Sequence, residues 1–529
     1  MKKNKLLFWG LLCSGLTTFA QKGTEFWFAP PEVSSMLTTF DGNPADRPIK
    51  LHLTSGNAVT MVTISQPATT TGMPTQTVTI NPNSTLAVDL SAWIDVLETK
   101  IPDAIQNSGL KIVATHPISA YYAVEHFANP ESFVLKSNYS LGIDFWIPVQ
   151  NEAYNGYNGH SSFDIIAAED NTAINITPSK SITGHIANST FTINLNKGQT
   201  WSAVASSTNG SGHLNGSHIT SDKPIAVTIK DDLIQYDAAG SGYDLIGDQI
   251  LPTNILGTKY IAVKGNLLNN SEKLFVTATE NNTTINKNGS FVASINKGET
   301  YALSVGTSNA VYVETSKPAA VLHLSGIDGE LGAKQLAPIN TSGSNEIYYQ
   351  RLMNQDLYLT LVVPTQGIGN FLVNGNSGII TAAQFAQVPG NPDYWFAKIS
   401  MSNTTYPEGS IIKISNTSRF QMGALDGWIG WGLNFSYFSD YYTEDLGIGE
   451  TLKDNFKLYP NPSKNLVYLE GTSIKLIEVY NVMGQKIPVN IDYGQRLSTI
   501  NVAELAVGNY ILKASTDKSK ASFKLTITK

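Results

Sequence analysis

Cysteine is nearly absent: the 529-residue chain has one, Cys13, inside a leader-like stretch. A mature chain cut downstream of it holds no thiol, which excludes a thiol nucleophile, a cysteine-ligated zinc and a structural disulfide. Arginine is scarce too; only Arg47, Arg351, Arg419 and Arg496 occur, and Lys and Arg never run four in a row. Phosphate recognition leans on clustered basic residues, so nucleic acid is not an expected partner. The formal charge of −7 becomes −10 once Lys2, Lys3 and Lys5 are removed. After residue 20 no apolar run approaches the ~20 residues of a spanning helix, so no transmembrane segment is expected in the mature chain. Catalytic signatures are missing as well: there is no G-x-S-x-G elbow, no H-E-x-x-H and no P-loop. No cofactor and no catalytic or metal-ligating set is implied.

What the chain has is strands. Runs such as KLHLTSG, TMVTIS, LFVTATE and AAVLHLSG alternate, are rich in Thr, Val and Ile, and end in Asn, Gly, Ser and Pro turns. Helical periodicity is weak and confined to Leu90 to Ile105 and Thr381 to Val388. The expectation is an all-β protein. Internal repeats organise it. TSDKPIAVTIKDD (220–232) matches TSKPAAVLHLSG (315–326), with further copies at 114–125 and 414–427. NKGQTW (196–201) matches NKGETY (296–301). An aromatic opening strand recurs as GTEFWFA at 23, GIDFWIP at 142, GTKYIAV at 257 and SNEIYYQ at 344, with a fifth copy, GLNFSYF, at 432. Units of this length hold about seven strands, which suits a small sandwich, with the proline just before a strand where a missing N–H is harmless. We therefore expect four tandem related β-sandwich-like modules at 21–141, 142–256, 257–343 and 344–440. The spare opening strand leaves a closed, propeller-like ring as the alternative. An acidic linker (441–454) leads to a small C-terminal β-sandwich at 455–529.

Both ends read as transport instructions. Residues 1–20 have a basic start, an apolar run from Leu6 to Leu16 and a small-residue finish, the layout of a signal peptide with cleavage between Ala20 and Gln21. Leu11 and Leu12 precede Cys13, which does not fit lipidation. At the other end stand Tyr459-Pro460-Asn461-Pro462, a turn at Met483-Gly484-Gln485, Gly508-Asn509-Tyr510 and the closing run to Lys529. This stretch resembles the C-terminal type A sorting domain of the type IX secretion system. That resemblance implies an Ig-like sandwich recognised by an outer-membrane secretion translocon, and a protein secreted or held on the outer surface of a bacterium. A second resemblance rests on GTEFWFAPPE, the KPIAV element and GDQILPTNILGTKYIAV (247–263). Over roughly 23–440 the chain is similar to the N-terminal domain of IgGFc-binding proteins. This implies an all-β module for extracellular contact, supplies no catalytic residues, and does not license antibody binding here.

Several candidate sites compete with plainer readings. His160-Ser161-Ser162-Phe163-Asp164 has the residue types of a triad, but adjacent strand residues face opposite ways, so we read a polar turn entering a strand. His213 and His218 lie in a Gly/Ser-rich stretch that reads as a solvated loop. Asp231, Asp232, Asp237, Asp244 and Asp248 fall close together and read as a solvated acidic connector, with weak calcium binding as the sharper hypothesis. Trp27 and Trp146, Trp201 and Tyr301, and the cluster Trp428, Trp431, Phe435, Tyr437, Phe438, Tyr441 and Tyr442 could stack on ligands, but recurrence at repeat positions points to core. The functional expectation is a non-enzymatic binding or adhesion protein contacting an extracellular glycan or protein. The alternative is an exported hydrolase or a sugar-binding companion to one.

Overall fold

The structure is a computed structural model and describes residues 22–35, 44–240, 242–428, 430, 432–441, 456–471, 474–481, 486–515 and 520–528. The cleavage pair Ala20 and Gln21, the linker beyond Tyr441, Trp431, Tyr442, Gly484 and Lys529, and the side chain of Trp428, lie outside the described residues. The chain divides into two compact units, Met1–Tyr441 and Tyr442–Lys529.

The first unit is all-β, and each of its repeats is organised by one long strand that serves two sheets. Residues 110–114 of Leu110–Val124 pair with the opening strand Gly23–Phe28 and with Thr60–Ser65, whereas residues 118–124 pair with Ile49–Ser55. The second repeat does the same with His218–Gln235: its first part pairs with Gly142–Trp146 and Thr172–Thr177, its second with Ser161–Ala167. In the fourth the long strand is Ile411–Trp428. In the third it is split into Ala310–Thr315 and Ala319–Asp328, with Pro318 in the gap. Pro117 and Pro224 sit at the matching place, where the strand leaves one sheet for the other. A residue with no N–H and a fixed φ fits that junction, because no ladder bond is lost there. The helical expectations shrink to single turns, Ser91–Trp93 with Ile94–Leu97, and Ala382–Gln384.

A closing strand then turns back on each long strand: Glu131–Val134, Asp244–Gln249, Glu330–Gln335 and Gly432–Phe438. The last of these corrects the reading of GLNFSYF as a fifth opening strand. It pairs antiparallel with the long strand of its own repeat in the register Trp428 to Gly432, a spacing that permits only a hairpin. Gly432–Phe438 has the glycine-plus-aromatic pattern of the opening strands Gly23–Phe28 and Gly142–Trp146, so its composition does not reveal its place.

The four closing strands touch in cyclic order: first on second, second on third, third on fourth, and fourth on first. The repeats thus form a closed ring. Two glycines make the close approach possible: a Cβ at Gly247 would lie 2.3 Å from the Phe133 ring, and one at Gly332 would lie 2.5 Å from Phe435 Cβ. Charges at the centre are paired across repeats, Lys334 to Glu131 at 2.7 Å and Lys136 to Asp248 at 2.7 Å, all four groups being buried. Gln249 accepts from the Lys136 N–H at 2.8 Å, and Gln335 accepts from the Leu251 N–H at 2.8 Å, so the second and third repeats each anchor the backbone leaving the one before. Apolar cores also run across the boundaries: Phe275 and Leu322 of the third repeat pack into the core of the second, and Tyr121 and Val134 of the first pack into that of the fourth. Between fourth and first the seal is completed by Lys22 to Glu346 at 3.1 Å and the Tyr348 hydroxyl to Asn83 at 3.0 Å.

The second unit has two four-stranded sheets around a core of Val467, Leu469, Val479, Ile500, Leu512 and Leu525. Asn461 side-chain oxygen accepts from the Thr526 N–H at 2.8 Å and its amide donates to the Lys524 carbonyl, tying the proline-rich start to the last strand. Tyr459 is exposed, the Tyr510 hydroxyl donates to the Ala506 carbonyl at 3.0 Å, and Gly508 pairs with Ile527.

Candidate functional site: a polar cavity between the first two repeats

Ser161–Ala167 is the strand that builds the site. Phe163 and Ile165 point into the apolar core of the second repeat. The alternate positions, His160, Ser162 and Asp164, line one cavity on the other face. Here the sequence argument fails: it is true of neighbours, but residues two apart share a face in a strand. Ser202 and Thr228 flank Asp164 across the ladder, and Val204 and Lys230 flank Ser162. The first repeat supplies the lid. Its Pro102 bridges Ser202, its Asp103 N–H donates to the Ser202 carbonyl at 3.0 Å, and Glu32, Thr99 and Lys100 complete the wall. The cavity volume is about 410 Å³, within the ~300–1,000 Å³ of small-molecule sites.

Charge in this cavity is unbalanced. Asp164 is 1% exposed; the Ser202 hydroxyl faces it across the ladder, but neither carboxylate oxygen completes a hydrogen bond of good geometry. Burial pushes Asp164 up to about 7, and the facing Ser202 hydroxyl and the Lys230 ammonium offset only part of that. Burial also works against the Lys230 ammonium, but Asp232, Glu32 and Asp164 outweigh it and hold that group above its ordinary value. The Lys230 ammonium donates to the Glu32 carbonyl at 2.6 Å. Asp232 is raised by burial, but it is tied to the backbone N–H groups of Ser34 at 2.5 Å and Leu233 at 2.8 Å. Burial and the Lys230 charge lower His160, whose Nδ1 sits 3.1 Å from the Ala205 carbonyl. Asp164 is therefore the charged group in the wall with unused hydrogen-bonding capacity, and the Thr99 hydroxyl of the same wall is likewise unpaired.

The remaining predicted sites are dispersed. Four of the five clustered aspartates are buried, which overturns the solvated connector: Asp231 pairs with His213 at 3.5 Å, Asp232 lies in the cavity wall, Asp248 pairs with Lys136, and Asp244 is raised by burial and by Glu330 facing it. Among the described residues no three acidic or histidine side chains converge as a metal site would require. His213 is buried, not solvated, and contacts Gln150; His218 stacks on Trp146 with ring centroids 4.0 Å apart. Trp27, Trp146, Trp201, Phe435, Tyr437, Phe438 and Tyr441 are buried, and Tyr301 is half-buried. Glu32, Lys100 and Lys230 were not visible as site residues. The one available signal was Asp164 itself, an acid inside the apolar strand SSFDIIAA.

Two segments of the chain match known families. Residues 457–528 match the secretion system C-terminal sorting domain, and the chain is a protein secreted by a bacterium or carried on its outer surface. Residues 130–424, more than half of the chain, match the family described as IgGFc binding protein, and the chain belongs to that family. No curated protein matches it. Among solved structures, one described as "Biofilm associated protein - BSP domain" is similar at 10% identity, over 74% of this chain and 82% of that one, with a TM-score of 0.15. Another, "Sidekick-1 immunoglobulin domains 1-5", shows 9% identity over 96% and 99% with a TM-score of 0.10. Neither bears on function at those scores. Among the described residues no helix is long and apolar enough to cross a membrane.

Proposed function

We propose that the protein is a non-enzymatic binding or adhesion protein that meets extracellular glycoprotein, polysaccharide or neighbouring cells. The observation that carries this reading is the pairing of the two matched families in one chain, a contact family over 130–424 and a sorting domain over 457–528. The ring supports it: a rigid, self-sealed scaffold holds its surface loops in fixed positions without needing disulfides. On this reading the sorting domain is handed to an outer-membrane secretion translocon, and the module limits at 21–141, 142–256, 257–343 and 344–440 mark the copies of the contact unit. Nucleic acid is not among the proposed partners.

A second reading, an exported hydrolase acting on polysaccharide, is favoured by Asp164. A carboxyl at about 7 is partly protonated at neutral pH, as a general acid must be. One experiment separates the two: the purified protein is run on an array of glycans, mucins and IgG Fc beside a broad hydrolase screen. Retention without turnover is expected. Turnover without retention would replace the binding reading with the enzymatic one.

A further inference from the structure

We propose that the cavity between the first and second repeats binds a neutral sugar unit, one or two rings in size, with Asp164 as the acceptor that recognises its hydroxyls. The inference rests on the extracellular-contact reading and narrows it to one place and one ligand class.

The first support is the repeat itself. Counting four residues from Pro117, Pro224 and Pro318 reaches Tyr121, Thr228 and Leu322, whose ladder partners are His52, Asp164 and Phe275. These three therefore hold equivalent positions at successive boundaries of the ring. Phe275 is fully buried in the core it shares with the second repeat. His52 is bonded to Gln350 at 3.0 Å and stacked on Tyr121. Each is satisfied by packing or by hydrogen bonds. Asp164 alone of the three faces a hollow of about 410 Å³ with neither oxygen in a hydrogen bond of good geometry. A buried carboxylate without partners destabilises its surroundings, and a purely structural position would be filled as Phe275 fills its own.

The second support is the chemistry of the wall. Apart from short apolar pieces such as Val204 and Ala205, it presents hydroxyls, carboxylates, ammonium groups, an amide and the His160 imidazole, and no Phe, Tyr or Trp ring. A flat aromatic or acyl ligand would leave those groups unpaired. Carboxylates at 32, 164 and 232 outnumber the ammonium groups at 100 and 230, which opposes phosphate or sulfate. A sugar hydroxyl both donates and accepts: adjacent hydroxyls can donate to the two Asp164 oxygens while Ser162, Ser206 and Asn158 complete the shell.

The test uses full-length protein in calorimetric titration and saturation-transfer NMR with N-acetylglucosamine, galactose, mannose and lactose. Sodium phosphate and spermidine serve as charged controls. At least one neutral sugar should bind, and Asp164→Asn should weaken it tenfold or more while the melting temperature at pH 8 holds or rises. Asp164→Leu, which copies the apolar counterpart, should abolish binding with the same thermal result. Sugar binding untouched by either variant would overturn the proposal. So would binding of phosphate or spermidine alone, or a variant that melts lower at pH 8, which would mark Asp164 as structural. Array retention that survives Asp164→Asn sinks this site and leaves the contact reading standing, whereas a blank array with no sugar bound sinks both.

Discussion

Asp164 shows most clearly how the burial of one residue ties stability to pH. Its carboxyl is held at about 7 against an ordinary value of 3.8, so between roughly pH 4 and 7 the folded protein keeps a proton that the unfolded chain has released. Folding is then favoured at the acid end of that window, and the advantage is lost as pH rises through it, by up to roughly 4 kcal/mol for this group. Glu98, pushed up to about 8 by burial, acts in the same direction. We expect the melting temperature to fall from pH 5 to pH 8, and Asp164→Asn to flatten that slope; a melting temperature that rises over this interval contradicts the assignment. At this scale the sequence was legible for bulk and blind for partnership. The repeat-matched Trp27, Trp146 and Trp201 are core, as recurrence suggests. The buried aspartates looked solvated because their partners, His213, Lys136 and Glu330, come from distant segments.

Strands explain both what could be read ahead of the structure and what could not. Alternation announced the all-β class, and the repeated proline marked the junction where the long strand changes sheets. Whether a short aromatic strand opens or closes a repeat depends on its pairing partner, which no local pattern encodes, and Gly432–Phe438 was misplaced for that reason. The His160 to Asp164 segment failed differently: the alternation rule was right and was applied to neighbours when the relevant spacing was two. The closing strands carry their own test. At Gly332 an added Cβ would lie 2.5 Å from the Cβ of Phe435 on the next repeat, so Gly332→Val should destabilise the ring by about 1–3 kcal/mol, as overpacking does. Urea unfolding would show this as a lower midpoint with an unchanged slope; an unchanged midpoint would mean that the strands do not approach as described.

For the molecule as a whole, destination and scaffold are written in separate segments. Deleting 455–529 should leave the protein in the periplasm, and fusing that segment to a reporter should export it; a reporter retained in the periplasm contradicts the sorting role. Ring closure was only an alternative at the level of sequence, because the contact of the fourth closing strand with the first joins segments some three hundred residues apart. Closure holds the first repeat in place over the second, where the cavity lies. Small-angle X-ray scattering from residues 22–441 tests it most directly. A closed, compact body of this size should give a radius of gyration of about 22 Å. Four ~100-residue modules in a row, each about 13 Å in radius of gyration, would give well over ~30 Å, and that result would contradict the ring.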